Sequence, residues 1–368
     1  MAYTIEHSSP AMHAESQLFT VPVTYTDRWK SEWERIHPKT TFEEDGSSGD
    51  ICFYLPPSSN AMLDLDSVTL ELELAIKVKT KDTKWTFMGT QDLAAPVNNI
   101  LHSLFQDVKV TLGNRTVSDA SCNYAYRSYM EFLLFHTRDN ADSVLSNAGF
   151  KIDTAGAFNN LDTNLGATWR RTVFSRGDFV QLSGKLSCDI FQQDKPLLHR
   201  VPMEIRLVPN KKEFFLQVWD PQVDKQFKIA IRNPRLNVKR YVPALDYMIK
   251  ITEELQAKTA KYAIERTIVR NTTISRGVQS TIVSNLHIGA LPKIVLIGFV
   301  ASEDFSGKIG RNPFNFQHYN ANQISVEVDG QSYPTKPYVV DFQRHHYLEA
   351  YDGLLNTLGE RHTPFGQM

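Results

Sequence analysis

Hydrophobic and polar positions alternate most strictly from Ser67 to Lys79, SVTLELELAIKVK. Val68, Leu70, Leu72, Leu74, Ile76 and Val78 fall on one side; Thr69, Glu71, Glu73, Lys77 and Lys79 fall on the other. A period of two with one apolar face predicts a strand wetted on one side, and therefore an antiparallel sheet. The same period recurs in Gln106 to Leu112, where Val108, Val110 and Leu112 alternate with Asp107, Lys109 and Thr111. Gly113-Asn114 tolerates positive φ and predicts a reversal there. The period then changes to that of a helix: Tyr126, Met130, Leu133 and Leu134 form one stripe, with Tyr129 beside it.

This strand, turn and aromatic helix are written a second time. Ile324, Val326 and Val328 alternate, Asp329-Gly330 supplies the turn, and Tyr347, Leu348, Tyr351 and Leu355 make a second aromatic stripe. Val110 and Val326 lie 216 residues apart, and Tyr126 and Tyr347 lie 221 apart. Solenoid repeats recur every 20–50 residues or so, so this spacing suggests two copies of one all-β domain in tandem.

Other segments predict further elements. Leu18 to Thr26 reads as extended, with Pro22 confining it to an edge. Trp29, Trp33 and Ile36 share a helical face in a short piece, Asp27 to His37. Glu43 to Asp50 is an exposed loop, and Ile51 to Leu55 a strand stopped by Pro56-Pro57. Asn140 to Ala167 is too long for a hairpin loop and reads as a surface excursion. Strands are expected at Arg170–Phe174, Phe179–Leu186, Pro202–Val208 and Phe214–Val218. Short strands at this spacing indicate a sandwich or jelly roll. The pattern restarts over Lys225 to Val242, broken by Asn233-Pro234. Pro243 to Ala257 is a helix with Leu245, Met248, Ile249 and Leu255 on its apolar face. Tyr262–Val269 and Lys293–Val300 are strands, the second apolar on both faces and hence central.

Composition narrows the function. The 368 residues suffice for two domains, and 40 Lys and Arg against 41 Asp and Glu give no electrostatic reason to expect nucleic acid as a partner. Cys52, Cys122 and Cys188 are odd in number and scattered, which fits a reducing compartment better than a disulfide framework or zinc cluster. The polar N-terminus, MAYTIEHSSPAMHAESQ, is not a secretory signal, and no run of 18 apolar residues codes a membrane span. Asn114-Arg-Thr and Asn271-Thr-Thr match the glycosylation tripeptide but read as turn residues without a secretory route.

Chemistry is sparse. No glycine lies in a phosphate-cradling pattern. His345-His346 is the only histidine pair, and as neighbours the two point apart. Cys188 and His199 could make a nucleophilic dyad; a buried structural cysteine fits Cys188 better. Glu71 and Glu73, with Lys77 and Lys79 further along, read as a solvated or interface face. Phe314, Phe316, His318 and Tyr319 could stack bases, yet no basic residues interleave them, which favours packing or a subunit contact. The residues imply no catalytic, cofactor-binding or metal-binding set.

Three passages give a family resemblance. These are NNILHSLFQDVKVTLGNRTV with NYAYRSYMEFLL, then GKLSCDIFQQDKPLLHRVPMEIRLVPNKKEFFL, then LPKIVLIGFVASEDFSGKIGRNPFNFQHYNANQISVEVDGQSYPTKP. In that order they resemble the double jelly-roll major capsid proteins of the polinton (Maverick) and adintovirus group, copies of which also lie in animal genomes. The resemblance runs from about Leu18 to about Leu355. It implies two tandem antiparallel jelly rolls with a few helices, divided as a flexible arm 1–17, a first jelly roll 18–222 and a second 223–368. It implies a non-enzymatic subunit forming homotrimers within an icosahedral shell, beside minor or penton capsid proteins. The location implied is the virion, assembled inside the host cell. It carries over no catalytic residues and no cofactor. Only 356–368 follow the second aromatic helix, where relatives continue with further strands, so the second sandwich is expected to be incomplete: a truncated reading frame or an integrated viral remnant. Two other readings are a host carbohydrate- or ligand-binding jelly roll using Trp169 or Trp219, and a cysteine hydrolase using Cys188 and His199.

Overall fold

The structure is a computed structural model. It describes residues 28–39, 49–80, 84–118, 121–219 and 225–358. The expected arm 1–17 and the expected strand Leu18–Thr26 lie outside these residues, as does most of the loop from Glu43.

The chain is mostly antiparallel sheet with a few helices. Thirteen strands are formed among the described residues: β1 Arg28–Ile36, β2 Ile51–Leu55, β3 Met62–Lys79, β4 Thr86–Phe87, β5 Ala94–Pro96, β6 Phe105–Leu112, β7 Arg115–Thr116, β8 Val180–Lys185, β9 Met203–Pro209, β10 Leu216–Val218, β11 Gln226–Pro243, β12 Gln323–Val328 and β13 Gln331–Val339. One sheet runs β1-β11-β3-β4, with β8 also on β3; a second runs β2-β9-β6-β7; β5 and β10 form a short pair. The two larger sheets enclose one core. Its β3 contribution is the predicted set, Val68, Leu70, Leu72, Leu74, Ile76 and Val78, all buried. Opposite them on the other sheet stand Val108, Val110, Ile205 and Leu207.

Several elements differ from the sequence reading. Trp29, Trp33 and Ile36 lie on β1, an extended strand paired with β11 from Lys30 to Ile36. Their spacing fits a helical face, but the ladder with β11 outweighs the propensity of so short a piece. Arg170–Phe174 is helical: it ends the helix Leu165–Phe174, capped where the Asn164 side chain accepts from the Ala167 amide at 3.2 Å. Segment 225–242, expected to open the second unit, is β11, and it lies between β1 and β3 in the first sandwich.

The second copy of the strand-turn-helix unit is present. Asp329 and Gly330 both have positive φ and close a two-residue turn between β12 and β13. A helix at Leu348–Leu358 follows. Ile324, Val326 and Val328 alternate as predicted, but none is buried. The helix Leu245–Ala257 also forms as predicted and buries none of its residues. Tyr262–Val269 and Lys293–Val300 form no ladder, contrary to the strand expectation. An alternating sequence becomes a strand only when another strand takes up its amides; no described strand pairs with these segments, and the Thr267 amide donates to Asp189 Oδ1 at 3.3 Å instead.

Candidate functional site

The aromatic helix Tyr124–Phe135 is the seam between the first sandwich and the C-terminal half. Its first turns are enclosed: Tyr124, Ala125, Tyr126, Arg127, Ser128 and Tyr129 are all buried, with Phe132. The buried face is therefore centred on Tyr129 and Phe132. Met130, Leu133 and Leu134 of the predicted stripe are only half-buried. Phe314, fully buried, stacks on Tyr129 at 4.1 Å between centroids and 3° between planes. Phe305 stacks on Tyr126 at 5.1 Å, and the Tyr126 hydroxyl donates to the Pro313 carbonyl at 3.0 Å. Burial pushes both the Tyr126 and Tyr129 phenols above the usual tyrosine range, so both stay neutral. Stacked pairs of this kind add roughly 0.5–1.5 kcal/mol beyond their burial. Phe316 joins the cluster edge-on to Tyr126. Of the other residues singled out in this loop, His318 stacks on Phe342 at 4.1 Å, and Tyr319 is exposed. The group packs the seam.

Beneath the seam lies a polar pocket. Arg127 donates to Glu131 at 2.8 Å and to Asp189 at 2.5 Å. Burial opposes the guanidinium's charge, but the two carboxylates outweigh it and hold the pKa above its usual value. Asp107, Tyr124, Ser187, Cys188 and Asp189 line a void of about 20 Å³ here, room for one water. Asp189 Oδ2 faces no partner. His102 is wholly buried alongside, its Nδ1 2.8 Å from the Tyr124 hydroxyl, and burial lowers its pKa to about 3.

The long excursion is pinned to this core. Arg170 and Asp153, both with no side-chain exposure, pair at 2.7 Å. Arg170 also donates to the Pro96 carbonyl at 2.9 Å, and Asn98 donates to the Lys151 carbonyl at 2.6 Å.

The sequence candidates for chemistry are dispersed. Cys188 is in the core, just past β8 rather than on a strand, and burial raises its pKa to about 12. That holds it as a thiol, the form unsuited to attack. His199 is half-buried, outside the Cys188 void. Glu71 and Glu73 lie against Arg235 and Arg232 on β11, at 2.7 and 2.6 Å. Expected on a solvated or interface face, they form a partly exposed ion-pair face. Burial works against the Glu73 charge, but hydrogen bonds from Arg232 and Asn233 prevail and lower its pKa. His346 bridges to Asp341 through backbone bonds at 2.8 and 2.9 Å. Among the described residues no three His, Cys, Asp or Glu side chains are grouped to hold a metal, and no helix is long and apolar enough to cross a membrane. Trp169 and Trp219 are half-buried, and the Trp219 indole donates to the Asn159 carbonyl at 2.9 Å.

The remaining large feature is uncovered apolar surface. From Ala244 to Glu303 no residue is buried. Leu245, Ile282, Ile288 and Leu291 stand more than half exposed, Ile282 at 90%. Only Tyr262 and Ile264 of this stretch pack against the sandwich core.

The fold and site define an antiparallel β-sandwich protein with an aromatic seam and an uncovered stretch from Ala244 to Glu303. The sequence is similar to the uncharacterized protein F54H12.2 of Caenorhabditis elegans, 26% identical over 359 residues, covering 94% of this chain and 81% of that one. No family model matches. Among solved structures, the chain superposes on a Sputnik virophage chain with a TM-score of 0.42 at 12% identity, over 65% of this chain and 53% of that one. It superposes on the mavirus major capsid protein at 0.37 and 12% identity, over 67% and 54%. For the Faustovirus major capsid protein the values are 0.35 and 9%, over 64% and 58%. The chain thus spans a little over half the length of these viral chains.

Proposed function

We propose that the chain is a structural subunit that builds a viral shell by associating with copies of itself, the role of a double jelly-roll major capsid protein. The observation that carries this reading is the stretch Ala244 to Glu303, which exposes a run of large apolar side chains without one buried residue. Isolated exposed apolar residues are ordinary, but so many within one stretch suit a protein contact. The hairpin β12–β13 and the helix Leu348–Leu358 add to it, since each is formed and neither buries a side chain. Burial of Cys188 and dispersal of the ionisable groups support a non-enzymatic role. The resemblance of Asn98–Leu134 and Leu291–Pro337 to polinton and adintovirus capsid proteins supplies the finer reading: homotrimers, a virion location, minor capsid neighbours and a second jelly roll in the residues after β11. Sedimentation velocity at micromolar concentration is expected to give a trimer or larger. A strict monomer contradicts the proposal.

A further inference from the structure

The strand β1 is the outer strand of its sheet. One edge pairs with β11; the other has no ladder partner among the described residues. An edge without a ladder partner is a template for another strand. Natural edges are commonly blocked by proline, by a bulge or by charged side chains that repel an incoming strand. This edge has no proline, and the charges on one of its faces are sorted by sign, Arg35 lying on the other face with Trp29, Ser31 and Trp33. Arg28 and Lys30 occupy one half, Glu32 and Glu34 the other, with Ser31 between them. Trp29 and Trp33 flank Ser31 at equal distance and are 83% and 65% exposed.

That order is complementary to itself when reversed. Placed antiparallel about Ser31, two such strands set Arg28 opposite Glu34, Trp29 opposite Trp33, Lys30 opposite Glu32 and Ser31 opposite Ser31. Opposed residues in an antiparallel pair share a face, and opposite-charge and aromatic pairs there are favourable. Neighbouring registers fail: centring on Glu32 opposes that residue to itself, centring on Trp33 sets Glu32 against Glu34, and centring on Lys30 opposes two lysines. The β1–β11 register is regular from Lys30 to Ile36, and its one shift lies at the Arg28 end. Glu34 already accepts from Arg240 of β11 at 2.7 Å, which fixes it in place.

We infer that β1 pairs with β1 of a second copy across a two-fold axis at Ser31, joining the two outer sheets into one. Such a contact is isologous and closes at two subunits. It is separate from the proposed trimer contact and does not depend on it.

The test places a cysteine on the axis in the full chain, with exposed Cys122 changed to serine. Opposed Cα atoms in an antiparallel pair lie about 4.5–5.5 Å apart, within disulfide range. S31C is therefore expected to form a covalent dimer under mild oxidation. R35C is not, because its two copies stand about 26 Å apart at roughly 3.3 Å per residue. In sedimentation, K30E opposes glutamates in two places and is expected to weaken the dimer about tenfold or more, while K30E/E32K restores the pairing. If S31C cross-links no more than R35C, or K30E leaves association unchanged, the β1 contact is wrong. A trimer without an S31C cross-link sinks this contact and leaves the shell reading standing; a cross-linked dimer that forms nothing larger does the reverse.

Discussion

His102 is held neutral inside the protein, its Nδ1 against the Tyr124 hydroxyl and its ring edge-on to Phe132 at 5.1 Å. The Ser187 amide donates to that same hydroxyl, so the phenol's proton is directed at His102 Nδ1. Burial lowers the folded pKa to about 3 from an ordinary 6.5. Below pH 6.5 the unfolded chain binds a proton that the folded chain refuses. Stability is therefore complete above 6.5 and falls as pH drops towards 3, at roughly 1.4 kcal/mol per unit. His136, whose pKa is lowered chiefly by burial, acts in the same direction. Denaturant unfolding is expected to lose about 2 kcal/mol between pH 7 and 5, and H102Q to lose most of that slope. An identical slope in H102Q contradicts the assignment. None of this is legible in the sequence: His102, Arg170 and Asp189 become special only through partners 22, 17 and 62 residues away.

At the scale of elements, legibility follows the source of the stabilising contact. Strand β3 and the hairpins β6–β7 and β12–β13 announce themselves, because alternation and turn residues are local. Gly113 does take positive φ, and Leu112 pairs with Arg115 across the turn as expected. Strand β1 was hidden, since its Trp29, Trp33 and Ile36 also suit a helical face and only β11 decides between them. The sign-sorted charges of β1 gain meaning only once it is a strand. Tyr262–Val269 and Lys293–Val300 show the converse, alternating patterns without a ladder. Phe314, Phe316, His318 and Tyr319 suit packing or a subunit contact, and Phe314 serves packing, stacked on Tyr129. Its truncation tests the seam. F314A is expected to cost about 3–5 kcal/mol in denaturant unfolding. Y319A, on the same loop but exposed, should cost under about 1 kcal/mol. A change of less than about 1 kcal/mol in F314A means the seam is not a stabilising contact.

The whole molecule is uneven. One sandwich is closed over a continuous core, with its excursion tied down by Arg170 and Asp153. The C-terminal half forms a hairpin and helices but leaves them, and the stretch before them, uncovered. Uncovered apolar chain is costly to leave in water and is relieved by a partner surface. Self-association is the central claim, and amide hydrogen exchange across Leu245 to Val300 tests it most directly, measured at protein concentrations below and above the appearance of trimer in sedimentation. Exchange in this stretch is expected to be fast in the dilute chain and to slow at least tenfold as trimers form, while β3 stays protected throughout. Amides in Leu245 to Val300 that remain equally fast in the assembled protein contradict the account.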